Sequence, residues 1–458
     1  MSRQLLHRGL AETGLLALGR SHPDIKLLCL QRFVRMFAYG ATTLQLVAYF
    51  ELLGFSATRI GLFMAFTLVG DVCISLVLTS IADGVGRKAV LAAGAALVAV
   101  SGVVFAMCSG FWVLLGAAVV GVIMRLIVSS GAEIGPFRAV EESIVAHLTT
   151  AEDRSDVYAW YSLMGAAGTA FGAMTSGWTA HYLTTSAGWG LEHAYRIVFY
   201  GYAALGVFKF FLALLLSRDI EAERDEAGVS EEEIAPILGE RPPEREVEVK
   251  TWRSRLVPRI ERESMPVVAT LCFFFALDSF ASSLTTQSWI AFFFRWKFNV
   301  DDGTLGSLFF TTSLLAAATT LVASSIAKRI GNLNAMVFTH LPSTIFTALI
   351  PLPRDATTAI VFLIFRALTH SMDVAPRAAF LAGVILPKER TTVLGLINVL
   401  KTCTSSVGPV GVGILVDKNL FWVAFVGAGC LKVVYDLGML VSFRKHEREL
   451  RDGTAESA

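Results

Sequence analysis

Charge is scarce in this sequence. Only 17% of its 458 residues are charged, whereas about a quarter of a typical soluble domain is. Hydrophobic residues make up 54% of the chain, and the mean hydropathy is +0.60. These values exclude a soluble multidomain protein, so we expect the chain to lie in a membrane. The apolar runs are nearly continuous over roughly 20 residues, which favours spanning helices over the short alternating strands of a β-barrel.

The motifs of several other protein classes are missing. The six cysteines have no C-x-x-C spacing and no histidines at zinc-ligand distances, so we expect no metal and no cofactor. The sequence has no G-x-x-x-x-G-K-[ST] segment for ATP and no selectivity-filter motif, which counts against a pump and a channel. No paired catalytic motif lies on a polar loop, so an enzyme is not expected. A net charge of +1 gives no reason to expect a nucleic-acid partner.

Twelve long apolar runs divide the chain. Six precede and six follow a polar segment, 217–265, which is rich in both charges and is predicted to be a cytosolic linker. The chain is thus predicted to form an N-terminal bundle, 27–216, and a C-terminal bundle, 266–443, between terminal segments 1–26 and 444–458. The predicted spans are 27–53, 58–81, 89–108, 111–148, 156–181, 197–216, 266–294, 304–327, 335–352, 357–386, 391–415 and 419–443.

Lysine and arginine are unevenly shared between the two sides of the predicted membrane. Most of them lie in segments on the same side as both chain ends, while the opposite loops hold few, among them Arg59, Arg196 and Lys418. Because positively charged loops stay in the cytosol, both termini are expected there. We expect a multi-pass protein of the plasma membrane that is a monomer in the lipid bilayer.

The two predicted bundles resemble each other in sequence. Matching residues follow in the same order in both halves, which indicates an internal repeat of six helices. The matches pair Arg125, Glu133, Pro136 and Arg138 with Arg366, Asp373, Pro376 and Arg377, Gly172 and Gly177 with Gly408 and Gly413, Gly206 and Lys209 with Gly429 and Lys432, and Arg35 with Asp278.

The loop between the second and third spans, from Thr79 to Lys88, carries a family signature. It resembles the G-x-x-x-D-x-x-G-R-[KR] motif of the major facilitator superfamily, with Thr79 in place of the first glycine. The resemblance implies that family's all-α membrane fold, in which twelve transmembrane helices form two pseudo-symmetric six-helix bundles. It also implies that Asp83, Gly86, Arg87 and Lys88 form a gating latch for one access state. The alternative is a plain positively charged loop.

Ionisable residues inside the spans are costly in lipid and therefore mark a solute or proton pathway. Glu133 and Asp373 lie beside prolines, where a kink frees backbone groups that can line a cavity. His370 would share a helix face with Asp373 and relay protons. The predicted proton-coupling or substrate-cavity residues are Glu133, Asp373, Asp278, Arg35, Arg138, Arg377, His370, Arg366 and Arg125. The alternative is that each carboxylate forms a permanent salt bridge with an arginine, Asp278 with Arg35 among them.

Gln287, Trp289 and Tyr161 are candidate cavity-lining residues for an amphipathic organic solute. The predicted function is a secondary active transporter that moves a small organic solute by alternating access, with protons as coupling ion and export by antiport favoured. One alternative is a uniporter or symporter for an organic ion. Another is a membrane sensor that has kept the fold without transport, although the tail, 444–458, is short for signalling.

Overall fold

The computed structural model describes residues 15–121, 136–150, 153–217, 219–221, 261–262, 264–386 and 388–456. Within these ranges every regular element is helical, and twelve helices or pairs of helical segments, α1 to α12, correspond to the twelve predicted spans. Their bounds are α1 Pro23–Leu52, α2 Ala57–Val85, α3 Arg87–Met107, α4 Phe111–Gly121 and Pro136–Leu148, α5 Arg154–Thr185, α6 Leu191–Leu214, α7 Met265–Leu284 and Gln287–Phe298, α8 Asp302–Ile330, α9 Asn332–Leu349, α10 Ala356–His370 and Val374–Val384, α11 Arg390–Asp417, and α12 Phe421–Glu456. By length and composition, eight candidate spans in the described ranges can cross a membrane.

The chain folds into two six-helix bundles, α1–α6 and α7–α12, as predicted. In the first bundle, α1 packs on α5 and α3 on α6; in the second, α7 packs on α11 and α9 on α12. These pairings are equivalent under the internal repeat. The bundles meet through α2 against α11 and α5 against α8, which are again equivalent pairs.

Glycines at the repeated positions allow this close packing. A Cβ on Gly206 of α6 would lie 2.5 Å from the backbone nitrogen of Ala99 in α3, and one on Gly429 of α12 would lie 2.7 Å from the Thr344 carbonyl oxygen in α9. Any larger residue would push these helices apart. The glycine matches in the sequence therefore mark equivalent helix contacts in the two halves.

The turns between α2 and α3 and between α8 and α9 are also equivalent. Each is made at a glycine with positive φ, +101° at Gly86 and +92° at Gly331, a conformation that side chains other than glycine rarely adopt. Gly86 belongs to the predicted gating motif. Gly331 stands at the corresponding place in the second half, where the motif itself is degenerate.

Two spans are broken next to the interface between the bundles. α7 is interrupted between Leu284 and Gln287, and α10 between His370 and Val374. The second break comes just before Pro376, where the missing proline N–H weakens the helix. A kink near this proline was predicted, and it is present.

Candidate transport site

A cavity of about 700 Å³ lies between the two bundles. Its walls come from α1 and α5 of the first bundle and from α7, α8 and α10 of the second, including both helix breaks. Hydroxyl groups dominate its polar surface, among them those of Tyr39, Ser162, Thr286 and Thr312. A volume of this size is typical of pockets for small organic molecules.

The bundles are joined on the side opposite the described ends of the chain. The Asp417 carboxylate, at the end of α11, accepts hydrogen bonds from the backbone N–H groups of Ala57 and Thr58 at 3.0 and 2.9 Å and from the Thr58 hydroxyl at 2.6 Å. A residue of the second bundle thus caps the first turn of a helix in the first bundle. Trp178, His181 and Tyr195 make a corresponding set of contacts with the start of α8. We call the two sets of contacts together the seal.

The second half of the seal lies where α5 and α6 meet the start of α8. The Tyr195 hydroxyl donates to Asp302 at 3.0 Å, the Trp178 indole N–H donates to the Ser307 hydroxyl at 2.9 Å, and His181 lies 3.1 Å from Asp301. In α5 and α8 the cavity-lining residues, 159–169 and 309–320, lie on the chain-end side of these contacts. The cavity therefore extends from the seal toward the side that holds the chain ends.

Three basic residues line the cavity. Arg32 belongs to α1, while Arg366 and His370 lie one turn apart on α10. The Arg32 guanidinium lies 5.0 Å from the centre of the Tyr161 ring, and Arg366 Nε donates to the Thr347 hydroxyl at 3.1 Å. No Asp or Glu occurs among the cavity-lining residues of the described ranges. This part of the wall is therefore electrically positive.

Behind the first bundle's wall lies a buried ion cluster. Glu141 of α4 is fully buried, and its carboxylate accepts hydrogen bonds from Arg35 of α1 at 2.7 Å and from the Tyr161 hydroxyl at 2.5 Å. Lys209 of α6 lies 3.8 Å from the same carboxylate. The cluster thus ties together α1, α4, α5 and α6.

The second bundle holds a matching ion cluster in which the arginine and the carboxylate have exchanged helices. Here the arginine, Arg377, lies on α10 and the carboxylate, Asp278, on α7, 3.3 Å apart. Arg377 also pairs with Asp373, one turn earlier on α10, and Lys432 of α12 lies 3.5 Å from Asp278. Both lysines occupy the repeat positions matched in the sequence. Asp373 Oδ1 is buried and has no hydrogen-bond partner among the described residues.

A second buried acid–base pair lies beside this cluster. His340 of α9 and Asp436 of α12 are both fully buried, and His340 Nδ1 lies 2.9 Å from one Asp436 oxygen and 3.1 Å from the other. The His340 ring lies 6.2 Å from that of the cavity residue His370. Its Nε2 atom has no hydrogen-bond partner among the described residues. The two histidines and Asp436 therefore form a line of titratable groups that leads away from the cavity.

The structure separates the predicted site residues into two sets. Arg366, His370 and Gln287 line the cavity. Arg35, Asp278, Asp373 and Arg377 lie in the clusters behind it. The proposed pairing of Asp278 with Arg35 is wrong, because each bonds within its own bundle.

Tyr161 and Trp289 do not line the cavity. The Tyr161 hydroxyl is bonded to Glu141, and Trp289 is fully buried against the rings of Phe292 and Phe421. Glu133 and Arg125 lie outside the described residues, as do the side chains of Arg138 and Asp83.

Arg87 and Lys88 of the predicted gating motif form hydrogen bonds with residues that follow α6. The Lys88 ammonium donates to the Leu216 carbonyl just after α6 at 2.6 Å, and Arg87 donates to the Ile220 carbonyl at 3.3 Å. The backbone N–H of Lys88 donates to Glu221 at 3.3 Å. The two basic residues thus bind carbonyl oxygens of the segment that follows α6.

Four functional candidates were missed by sequence reasoning. Glu141 follows Pro136 by five residues but stands in a Glu-Glu pair that resembles the polar end of a span. Arg32, His340 and Asp436 all lie inside predicted spans. An ionisable residue inside a span is itself an indication of function.

The fold and the central polar cavity define a membrane transporter. The sequence profile of the Major Facilitator Superfamily matches residues 28–294 and 273–457, so the chain belongs to this superfamily. It is 34% identical over 425 residues to the uncharacterized membrane protein YJR124C of Saccharomyces cerevisiae, covering 92% of this chain and 94% of that protein.

Solved structures confirm the fold. A bacterial homolog of the human lysosomal transporter Spinster, in an inward-facing and occupied conformation, has a TM-score of 0.66 at 14% identity, covering 92% of this chain and 96% of that one. A D-xylose-proton symporter has a TM-score of 0.65 at 14% identity, covering 91% and 97%.

Proposed function

We propose that the protein is a secondary active transporter that moves a small organic solute by alternating access. The observation that carries this proposal is the polar cavity between two similar bundles, sealed on one side by contacts between the bundles. We propose that both termini lie in the cytosol of a plasma-membrane protein, which would make the described state inward-facing. Opening the seal while the other side closes would expose the same cavity outward.

We further propose that transport is coupled to protons through the second bundle's cluster. Asp278 and Asp373 share Arg377, so two carboxylates compete for one guanidinium. Asp373 has a buried oxygen without a hydrogen-bond partner among the described residues, and it lies between Ser371 and Val374, which line the cavity. A proton on Asp373 would release Arg377 to Asp278 alone.

Several ionisable groups on neighbouring helices act on this cluster electrostatically. They are Lys432, Tyr435 and Asp436 of α12, His340 of α9 and Lys401 of α11. Protonation of Asp373 would alter the electrostatic field at each of these groups, so we propose that they respond together to a proton. Glu133 and Arg138 are proposed counterparts in the first bundle.

Antiport, with export of the solute, is the expected mode. Uniport or symport of an organic ion is the second candidate, and the basic residues on the cavity wall favour it.

Purified protein in liposomes with an imposed pH gradient tests these ideas against a library of solutes. Saturable transport that disappears with a protonophore is expected. A complete absence of saturable transport would leave only a sensor role for the fold.

The variant Asp373→Asn tests whether Asp373 couples transport to protons. This variant should lose gradient-driven accumulation but keep solute exchange across the membrane, because exchange needs no net proton movement. Asp355→Asn is the matched control, since Asp355 caps the start of the same helix away from the cluster. If Asp373→Asn accumulates solute as the control does, the coupling assignment is wrong.

A further inference from the structure

Arg366, on the cavity wall, differs from the arginines of the two clusters in how its charge is compensated. Arg35 and Arg377 each bond to a buried carboxylate of their own bundle. Arg366 instead donates its Nε hydrogen to a neutral hydroxyl, that of Thr347. Among the described residues, no carboxylate oxygen lies within 4 Å of the Arg366 guanidinium.

The described residues nearest to Arg366 supply no negative charge to it. His370 follows it by one turn on the same face of α10, and Lys432 of α12 also acts on it electrostatically. A guanidinium held away from bulk water is costly unless an anion or several acceptors compensate it. A site with this composition is therefore incomplete until a negative group enters the cavity.

Arg32 supplies a second positive charge from the other bundle. Its side chain is 6% exposed and lines the cavity from α1, whereas Arg366 lines it from α10. Guanidinium groups bind carboxylates and phosphates through two parallel hydrogen bonds. An acidic group in the cavity can thus be held from both bundles, and the hydroxyls and apolar side chains such as Met36 and Phe309 remain for the rest of the molecule.

We propose that the transported solute is a small organic anion whose acidic group binds Arg366 and Arg32. This inference rests on the proposed transport function and assigns its substrate class. The 700 Å³ cavity admits a solute larger than a simple inorganic anion. Binding from both bundles would link the anion to the movement of one bundle against the other.

The test uses matched pairs of acids and neutral analogues: glutarate with glutaramide, benzoate with benzamide, and phenyl phosphate with phenol. Each compound is added to the purified full-length protein, and the thermal unfolding midpoint is measured. We expect one or more anions to raise the midpoint while their neutral partners do not. Stabilisation by the neutral partners alone, or by none of the anions, would overturn the proposal. The carboxylate and phosphate arms separate the two kinds of acidic group.

Arg366→Gln separates a binding role from a structural one. If the arginine awaits an anion, this variant should keep or raise the unfolding midpoint without ligand and weaken anion binding tenfold or more. Arg366→Lys should retain part of the affinity, because it keeps the charge but loses the paired hydrogen bonds. An arginine with only a structural role would instead lower the midpoint of Arg366→Gln and leave ligand binding unchanged.

The two proposals can fail separately. If wild-type liposomes transport a neutral or cationic solute and Arg366→Gln transports it equally well, the protein is a transporter but the anion assignment is wrong. If anions bind but no solute crosses the membrane, the cavity assignment stands and the transport function fails.

Discussion

The contact between Asp417 and the start of α2 gives the most direct test of alternating access. Three hydrogen bonds end on this carboxylate, two from backbone N–H groups and one from the Thr58 hydroxyl. They join the two bundles on the sealed side, so they exist only while that side is closed. Replacing Asp417 by alanine removes all three but leaves the packing of each bundle intact.

The expected size of the effect follows from helix capping. Loss of a capping side chain costs about 0.5–2 kcal/mol, and because Asp417 is exposed, the larger values for buried charges do not apply. A loss of about 1–2 kcal/mol from the sealed state alone would shift the equilibrium toward the opposite state by roughly 5–30-fold.

Cysteine labelling measures this shift. Ser313→Cys places a thiol on the α8 wall of the cavity, in a background from which the native cysteines have been removed. A membrane-impermeant maleimide is then applied from the sealed side of oriented liposomes. Asp417→Ala should label several-fold faster than the parent. Asp355→Ala is the control, because it removes a similar helix cap within the second bundle alone. Equal labelling in the parent, Asp417→Ala and Asp355→Ala would refute the reasoning.

The remaining predictions concern the interior. Arg35→Glu should lower the free energy of unfolding by about 3–5 kcal/mol because it buries two carboxylates together, and adding Glu141→Arg should recover much of the loss; a double variant no more stable than the single one would contradict the pairing. His340→Ala should cost about 1–3 kcal/mol by leaving the Asp436 carboxylate unpaired, and Asp436→Asn should cost less because it keeps an acceptor oxygen; thermal unfolding that ranks them in the reverse order would count against this. Gly177→Leu should speed labelling from the sealed side, since its Cβ would lie 2.9 Å from the Gly306 Cα of α8.

The sequence was enough to predict the helices but not the partners of their charges. In a membrane, long apolar runs form spanning helices and repeated glycines mark close helix contacts. The twelve spans and the two bundles could therefore be predicted. Ion pairing depends on how each helix is rotated about its axis, which the loosely periodic apolar runs do not fix. The repeat aligned Arg35 with Asp278, but their partners, Glu141 and Arg377, lie on other helices of their own bundles.

The placement of charge fits the proposal that the two bundles stay intact while they move against each other. Within each bundle the ions are buried in clusters, and breaking such a pair costs about 3–5 kcal/mol, so each bundle should move as a rigid body. Between the bundles, the Asp417 contacts are exposed and each is worth far less. A conformational change is therefore expected to break the Asp417 contacts before it disturbs either cluster. Among the residues that the structure describes, the first cluster has one carboxylate for Arg35 and Lys209, whereas the second has two carboxylates for Arg377 and Lys432. The second cluster is thus the one in which a carboxylate can take up a proton while another carboxylate stays beside Arg377.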